Sequence, residues 1–392
     1  MSKIRIIQYL RNAGATNWGG ISPSIMKETG LGGRESALVH LSENWAKQGH
    51  EVINFVNAEE SERFEYEDGS SYYVPTKDIV PYCRNFGADV IVSWEEAGIA
   101  DVPEIVENVD LKVIEMQVAH LETDENADKS TDYYACLSNW AGSFLREQHP
   151  FINPEKVVVF PNCIDPSRFQ DDKCKESRFG KAEFFYSSSP DRGLVNVLRM
   201  WPKIREEYPD AKLHVAYGIE KWIEAVKWSH NIWAEIALEI QEGIKQDGII
   251  YHGKIGQDEL AEIQKGCSAM LYPCETLSPT ETGCISVIEA CAAGAVPVIT
   301  DCDCLGTEFG YFAPHVELPF DEDEYLARLR LVMTNEMYYL DSQKDALEFS
   351  TTRYWEDTAV EWTKWFQAAI NQKEYEKSNR IEYAIGEISV GI

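Results

Sequence analysis

Short apolar runs alternate with amphipathic stretches along nearly all of the 392 residues, an order that few architectures tolerate. Strand patterns that alternate with helix patterns specify βαβ units around parallel sheets. In the first half, residues 4–10, 51–56, 90–93, 113–117, 133–137 and 157–160 read as strands, and 35–48 reads as a helix with Leu38, Leu41, Trp45 and Ala46 on one face. In the second half, 184–186, 212–217, 249–251, 269–272 and 296–300 repeat the pattern. The spacing predicts an α/β chain of two doubly wound, Rossmann-like sheets in series, joined near 160–180, where Pro161, Pro166 and a polar run break the rhythm. The expected divisions are 1–165, 166–354 and a last segment 355–392. Residues 219–247 read as helical, with Trp222, Val226, Trp233, Ile236, Ile240 and Ile244 as core, and 355–370 as a helix burying Ala359, Trp362, Trp365, Phe366 and Ala369.

Charge narrows the partners. Lys and Arg number 36 against 66 Asp and Glu, a formal net charge of −30. Such a surface repels polyphosphates, so a nucleic-acid partner or an anionic membrane patch is disfavoured, and none is expected. Any anionic ligand must be met by a local pocket of Arg, Lys and backbone amides. The N-terminal run is broken by Arg5 and closed by Arg11, unlike a signal peptide, and no stretch of 18 apolar residues occurs. Ten scattered Cys and no Asn-x-Ser/Thr sequon place the expected protein in the cytoplasm with reduced thiols. Six of those Cys fall within 267–304, but without a CxxC pair they make a poor zinc set.

The segment Glu281-Thr-Gly-Cys-Ile-Ser-Val-Ile-Glu289-Ala-Cys-Ala-Ala-Gly294 carries the most chemistry. It follows a strand ending in Tyr272-Pro273, and 282–293 has a helical pattern. Eight helical steps turn about 800°, about 80° from alignment, so two carboxylates on one regular helix would not share a face. They converge only if Glu281 sits on the loop before the helix and Glu289 lies inside it. That layout leaves the amides of Gly283, Cys284 and Ile285 at a helix N-terminus, where a phosphate binds well. A helix with one capping acid and one surface acid fits the same spacing.

This segment, with Pro297-Val after it, resembles the signature of retaining GT-B glycosyltransferases, particularly family four. Gly32-Gly33-Arg34-Glu35 and the helix ending near Gly49-His50 are similar to that family's first loop and helix. Phe160-Pro-Asn-Cys163-Ile-Asp165-x3-Phe169 resembles its Pro-Asn-Gly-Ile-Asp segment. Tyr186-Ser-Ser-Ser-Pro-Asp-Arg192-Gly193 resembles the diphosphate loop, and Tyr251-His-Gly-Lys254-Ile255 the strand end beside the nucleobase.

The resemblance implies transfer of a sugar from a nucleoside-diphosphate sugar to a hydroxyl acceptor, with retention and without a metal or other cofactor. Glu281 would bind sugar hydroxyls, beside the amides of Gly283, Cys284 and Ile285, and Glu289 the ribose. Arg192 would neutralise the diphosphate, which Gly32 and Gly33 would approach without a Cβ clash. Ile255 would face the base with its backbone. His120, after a first-half strand, matches a position that reaches the donor sugar, although a lone His is usually structural. The acceptor would lie against first-domain loops that include residues 12–30, and the last helix would cross back to the first domain.

This sequence departs from the pattern at Ser187 and Ser188, where a second cation is common; Lys254 could substitute. Cys163, Thr282 and Cys284 stand at glycine positions. Gly30-Leu-Gly32-Gly33-Arg-Glu35 lacks the third glycine of a dinucleotide turn and lies some twenty residues past the first strand, so NAD is not expected. Asp301-Cys-Asp303 could hold a cation, but a polar loop at the cleft fits better. A sugar-nucleotide epimerase or hydrolase, and a non-catalytic binding protein, remain as other classes.

Overall fold

The structure, a computed structural model, describes residues 3–11, 20–58, 60–227 and 232–390, with side chains through residue 378. Parts of two sequence expectations, the acceptor loop at 12–19 and the helical stretch at 228–231, lie outside the described residues.

The first eight strands are β1 (Arg5–Tyr9), β2 (Glu51–Val56), β3 (Glu62–Glu65), β4 (Ser70–Pro75), β5 (Ala88–Trp94), β6 (Val109–Met116), β7 (Tyr133–Cys136) and β8 (Val157–Val159). They form one sheet in the order β3-β4-β2-β1-β5-β6-β7-β8, parallel except where β3 pairs with β4. Six further strands, β9 (Glu183–Tyr186), β10 (Lys212–Val215), β11 (Ile249–Tyr251), β12 (Ala269–Tyr272), β13 (Val296–Thr300) and β14 (His315–Val316), make a parallel sheet in the order β11-β10-β9-β12-β13-β14. Strand order reverses between β1 and β5 in the first sheet and between β9 and β12 in the second. These switch points open a crevice at the strand C-termini, the place where open α/β sheets bind ligands.

Each sheet has its own core. Trp45, Val52, Val90, Val92 and Val113 belong to the first; Phe184, Leu213, Leu271, Val298 and Ile288 belong to the second. The helix Gly33–Lys47 covers the first sheet with Leu38, Leu41, Trp45 and Ala46 buried, and places Glu35 in its first turn and Lys47 in its last, complementing the helix dipole. The C-terminal helix, Trp355–Val390, returns to that first core: Trp362 meets Trp45 edge-on at 6.0 Å, and Phe366 and Ala369 are buried there. A parallel bridge between Ile164 and Tyr354 marks where the chain passes out to the second sheet and back.

Local corrections to the sequence reading have simple causes. The β3–β4 hairpin was absent from that reading because Glu62–Glu65 is a polar edge strand with no apolar alternation to betray it. The helical stretch 219–247 resolves into two helices, Ile219–Val226 and Ile232–Gly243. The last helix runs well past 370, to Val390.

Candidate active site

A cavity of about 370 Å³ lies between the sheets. Its walls come from residues that directly follow strands: Glu95 after β5, Gln117 and Val118 after β6, Ser187 to Ser189 after β9, Ala216 to Gly218 after β10, and Gly253 to Ile255 after β11. The 280–289 segment supplies the floor.

The helix of that segment is shorter than the pattern suggested, Ile285–Ala292, with Cys284 as a cap that makes no side-chain hydrogen bond to the first turn. Glu281 is therefore on the loop and Glu289 inside the helix, the layout that lets both carboxylates line one cavity. Glu281 is 6% exposed; its Oε1 accepts from Tyr272 Oη at 2.8 Å and lies 3.3 Å from Arg192 Nη1. Its backbone is held from the other side, because Asp303 Oδ2 accepts from the amides of Thr280 (2.7 Å) and Glu281 (2.9 Å). Asp303 thus ties down the loop. Among the described residues no group of three or more His, Cys, Asp or Glu side chains is placed to hold a metal ion.

Glu289 is buried as well, but it is already engaged. Arg168 Nη1 donates to its Oε1 at 2.9 Å, with both side chains 5–6% exposed, and Gln264 Nε2 approaches Oε2 at 3.4 Å. The sequence reading missed this arginine, although it lies among the three unassigned residues of Asp165-x3-Phe169. Only the paired burial of positions 121 residues apart reveals it.

Arg192 ends a one-turn helix at the foot of the second sheet's loop and is nearly buried, with Asp191 and Glu281 holding its guanidinium firmly charged. Gly193 after it has φ +99°, and a Cβ there would run into the Pro273 carbonyl, so the close seat of Arg192 depends on that glycine. Ser187 and Ser188, standing where a second cation was expected, knit the loop to its neighbours instead. Ser286 Oγ donates to the Ser187 carbonyl at 2.8 Å, and Ser188 Oγ lies 3.1 Å from Tyr272 Oη.

Lys254 lines the same cavity, and burial together with Lys221 lowers its pKa to about 8. A diphosphate beside this ammonium would favour its charged form, so the complex should bind more protons than the free protein above that pH. Nucleoside-diphosphate affinity is then expected to stay level below about pH 8 and to fall above it. Calorimetric titration across pH 7 to 10 checks this, and Lys254→Arg should flatten the profile.

Gly32, Gly33, Ile255, Gly283, Cys284 and Ile285 also line the cavity. Neither Gly32 nor Gly33 has a positive φ; a Cβ on Gly33 would meet Ile285 Cδ1 at an ordinary 3.6 Å, and one on Gly32 would meet only the Glu35 carboxylate. The close approach belongs to Gly30, at φ +70°, where a Cβ would stand 2.6 Å from the Ile255 carbonyl across the cleft. His120 is not among the lining residues; it is exposed, its ring edge-on to Phe144 at 5.4 Å. Gln117 and Asn162 occupy the cavity wall on that side, joined by paired amide hydrogen bonds of 3.0 Å.

The two halves touch around the cavity. Thr282 Oγ1 donates to the Gln117 carbonyl, Ser138 Oγ to the Thr282 carbonyl and Asn162 Nδ2 to the Gly283 carbonyl, each at 2.8 Å. Thr282, which replaces a family glycine, therefore has a hydroxyl that a glycine could not offer.

Residues 176–345, which contain Arg192, Lys254 and the whole 280–289 segment, match the family model of glycosyl transferases group 1. That stretch of the chain thus carries the group 1 glycosyl transferase pattern, and the two-sheet fold is that of GT-B proteins. The fold of the chain is shared over nearly its whole length with solved structures of low sequence identity. A sucrose-phosphate synthase from Thermosynechococcus elongatus is 13% identical with a TM-score of 0.66, covering 94% of this chain and 99% of the other. An alpha,alpha-trehalose-phosphate synthase (UDP-forming) from Burkholderia vietnamiensis is 10% identical with a TM-score of 0.67, covering 95% and 100%. A trehalose-6-phosphate synthase structure, described in connection with enzymatic glycosyltransfer with retention, is 10% identical with a TM-score of 0.65, covering 93% and 99%. No curated protein sequence matches the chain. Among its described residues no helix is long and apolar enough to cross a membrane.

Proposed function

We propose that this glycosyltransferase moves a sugar from a nucleoside-diphosphate sugar to a hydroxyl acceptor with retention at the anomeric carbon, and needs no metal. The observation that carries the reading is the convergence of Arg192, Lys254, Glu281, Glu289 and the open N-terminus of the Ile285–Ala292 helix on one cavity. Cations and amides around a developing diphosphate charge are usually the largest contribution to such a step. In this reading Arg192 and Lys254 flank the diphosphate, the amides from Gly283 to Ile285 cover it, Glu281 orients the sugar hydroxyls and Glu289 the ribose. The bond from the anomeric carbon to the phosphate oxygen breaks as the acceptor oxygen attacks from the same face, and the acceptor proton passes to the departing phosphate oxygen. The UDP-forming and retaining descriptions of similar structures favour the same chemistry.

Turnover of a panel of nucleoside-diphosphate sugars, beginning with UDP-glucose, is expected to survive exhaustive chelation. NMR coupling constants should give the product the donor's anomeric configuration. Loss of activity in EDTA with recovery in manganese would overturn the metal-free reading, and an inverted product the retaining one.

A further inference from the structure

The strand end that carries Gly253, Lys254 and Ile255 to the cavity wall is pinned from both faces of its sheet. On one face Tyr251 Oη donates to the Glu220 carboxylate at 2.8 Å and accepts from the Ile219 amide at 3.2 Å. On the other face lies a chain of titratable side chains that the proposed mechanism leaves unused. Alternate residues of a strand share a face, and the parallel register sets Phe185 beside His214 and His214 beside Ile250. Glu183, two before Phe185, and His252, two past Ile250, therefore flank His214 on one face, stepping diagonally across β9, β10 and the end of β11. Glu183 Oε1 lies 3.1 Å from His214 Nε2, and His214 Nδ1 lies 2.9 Å from His252 Nε2.

This order fixes each hydrogen. A carboxylate only accepts, so His214 Nε2 donates to Glu183; with both rings neutral, His214 Nδ1 must accept and His252 Nε2 must donate to it. The surroundings favour that state. Burial works to raise the Glu183 pKa, but Lys181, 2.8 Å away, and His214 bring it below the ordinary carboxylate range. Burial and His214 lower the His252 pKa, opposed by Glu259 of the helix Gln257–Gly266. His252 leads directly into Gly253, at φ +69°, and its amide donates to the Val215 carbonyl at 2.9 Å. Ring and backbone together tie the start of the cavity loop to β10.

Resting on the proposed glycosyl transfer, we infer that His252 is a positioning residue, and that the Glu183–His214–His252 relay holds the loop from Gly253 to Ile255 in the conformation that binds the nucleoside diphosphate. Glu183, at the far end of the relay, then acts on nucleotide affinity only through the two rings.

Calorimetric titration of UDP, ADP and GDP into the unaltered protein selects the probe, and thermal melts accompany each variant. His252→Phe, which keeps a ring and loses the donor, is expected to weaken binding by about tenfold, the scale of one lost hydrogen bond. His252→Gln, whose amide can still donate to His214 Nδ1, should stay within about threefold of the unaltered protein. Glu183→Gln should weaken binding by about threefold or more when His252 is present and add nothing in the His252→Phe background, because residues in one network are not additive. Unchanged affinity in His252→Phe, equal losses in the Phe and Gln variants, or additive losses in the double variant would overturn the inference. If His252→Phe does not fold, Glu183→Gln decides alone, and unchanged affinity there overturns it. Absence of binding of all three nucleotides by the unaltered protein would instead remove the glycosyl-transfer reading on which it rests.

Discussion

Arg192→Ala is expected to lower kcat by on the order of 10² to 10³, the usual cost of removing one fixed donor from a developing anion in a water-poor site. Two features make this position sensitive. The guanidinium is nearly buried, so its field at the cavity is weakly screened, and it lies 3.3 Å from Glu281 Oε1, the carboxylate proposed to orient the sugar. Its loss would therefore weaken leaving-group stabilisation and also leave the buried Glu281 without its neighbouring cation. Arg192→Lys should recover only part of the rate, because a point charge replaces a planar fork that reaches two groups at once. Steady-state kinetics with UDP-glucose or whichever donor the panel selects, alongside thermal melts to confirm folding, provides the measurement. A kcat within threefold of the unaltered enzyme would take Arg192 out of the reacting centre.

Glu289→Ala should damage both stability and binding. Arg168 and Glu289 form a buried ion pair, and removing one member of such a pair strands the other charge at a cost of about 3–5 kcal/mol. Denaturant titration should show that loss as a lower midpoint. If Glu289 also accepts from ribose hydroxyls, at about 1.5–3 kcal/mol per charged hydrogen bond, nucleoside-diphosphate affinity should fall tenfold or more. A double variant separates the two effects: Arg168→Met with Glu289→Leu leaves no buried charge and should regain most of the stability while nucleotide binding stays weak. Recovery of both together would mean that Glu289 serves the fold alone.

These expectations differ in how far the amino-acid order could have led to them. The two parallel sheets were readable because each strand is a short apolar run bounded by polar turns, and burial on both faces forces that composition. The Glu281 and Glu289 layout was half readable: helix geometry lets an eight-residue spacing converge only when one acid precedes the helix, but the same spacing also fitted a capping acid and a surface acid. Arg192 was legible only through the resemblance of its loop to a family loop; that the next residue is a glycine held at φ +99° is a structural finding. In each case the signal is local, a few residues whose spacing already encodes the turn or helix end.

Partnerships across the fold were not readable. Arg168 meets Glu289 across 121 residues, Asp303 holds the backbone of Glu281 from beyond the next strand, and Arg34 reaches Glu95 across 61. None has a sequence period, since each depends on which strand ends lie side by side at a switch point. The seat of His120 against Phe144, off the cavity wall, was likewise decided by packing around the helix Asn139–Gln148. The sequence by itself determined the two-sheet plan and the loop before the Ile285–Ala292 helix, because strand burial and helix termini are set by neighbours in the chain. Only the tertiary structure decided which carboxylates are neutralised, because charge pairing acts through space between segments that the chain keeps far apart.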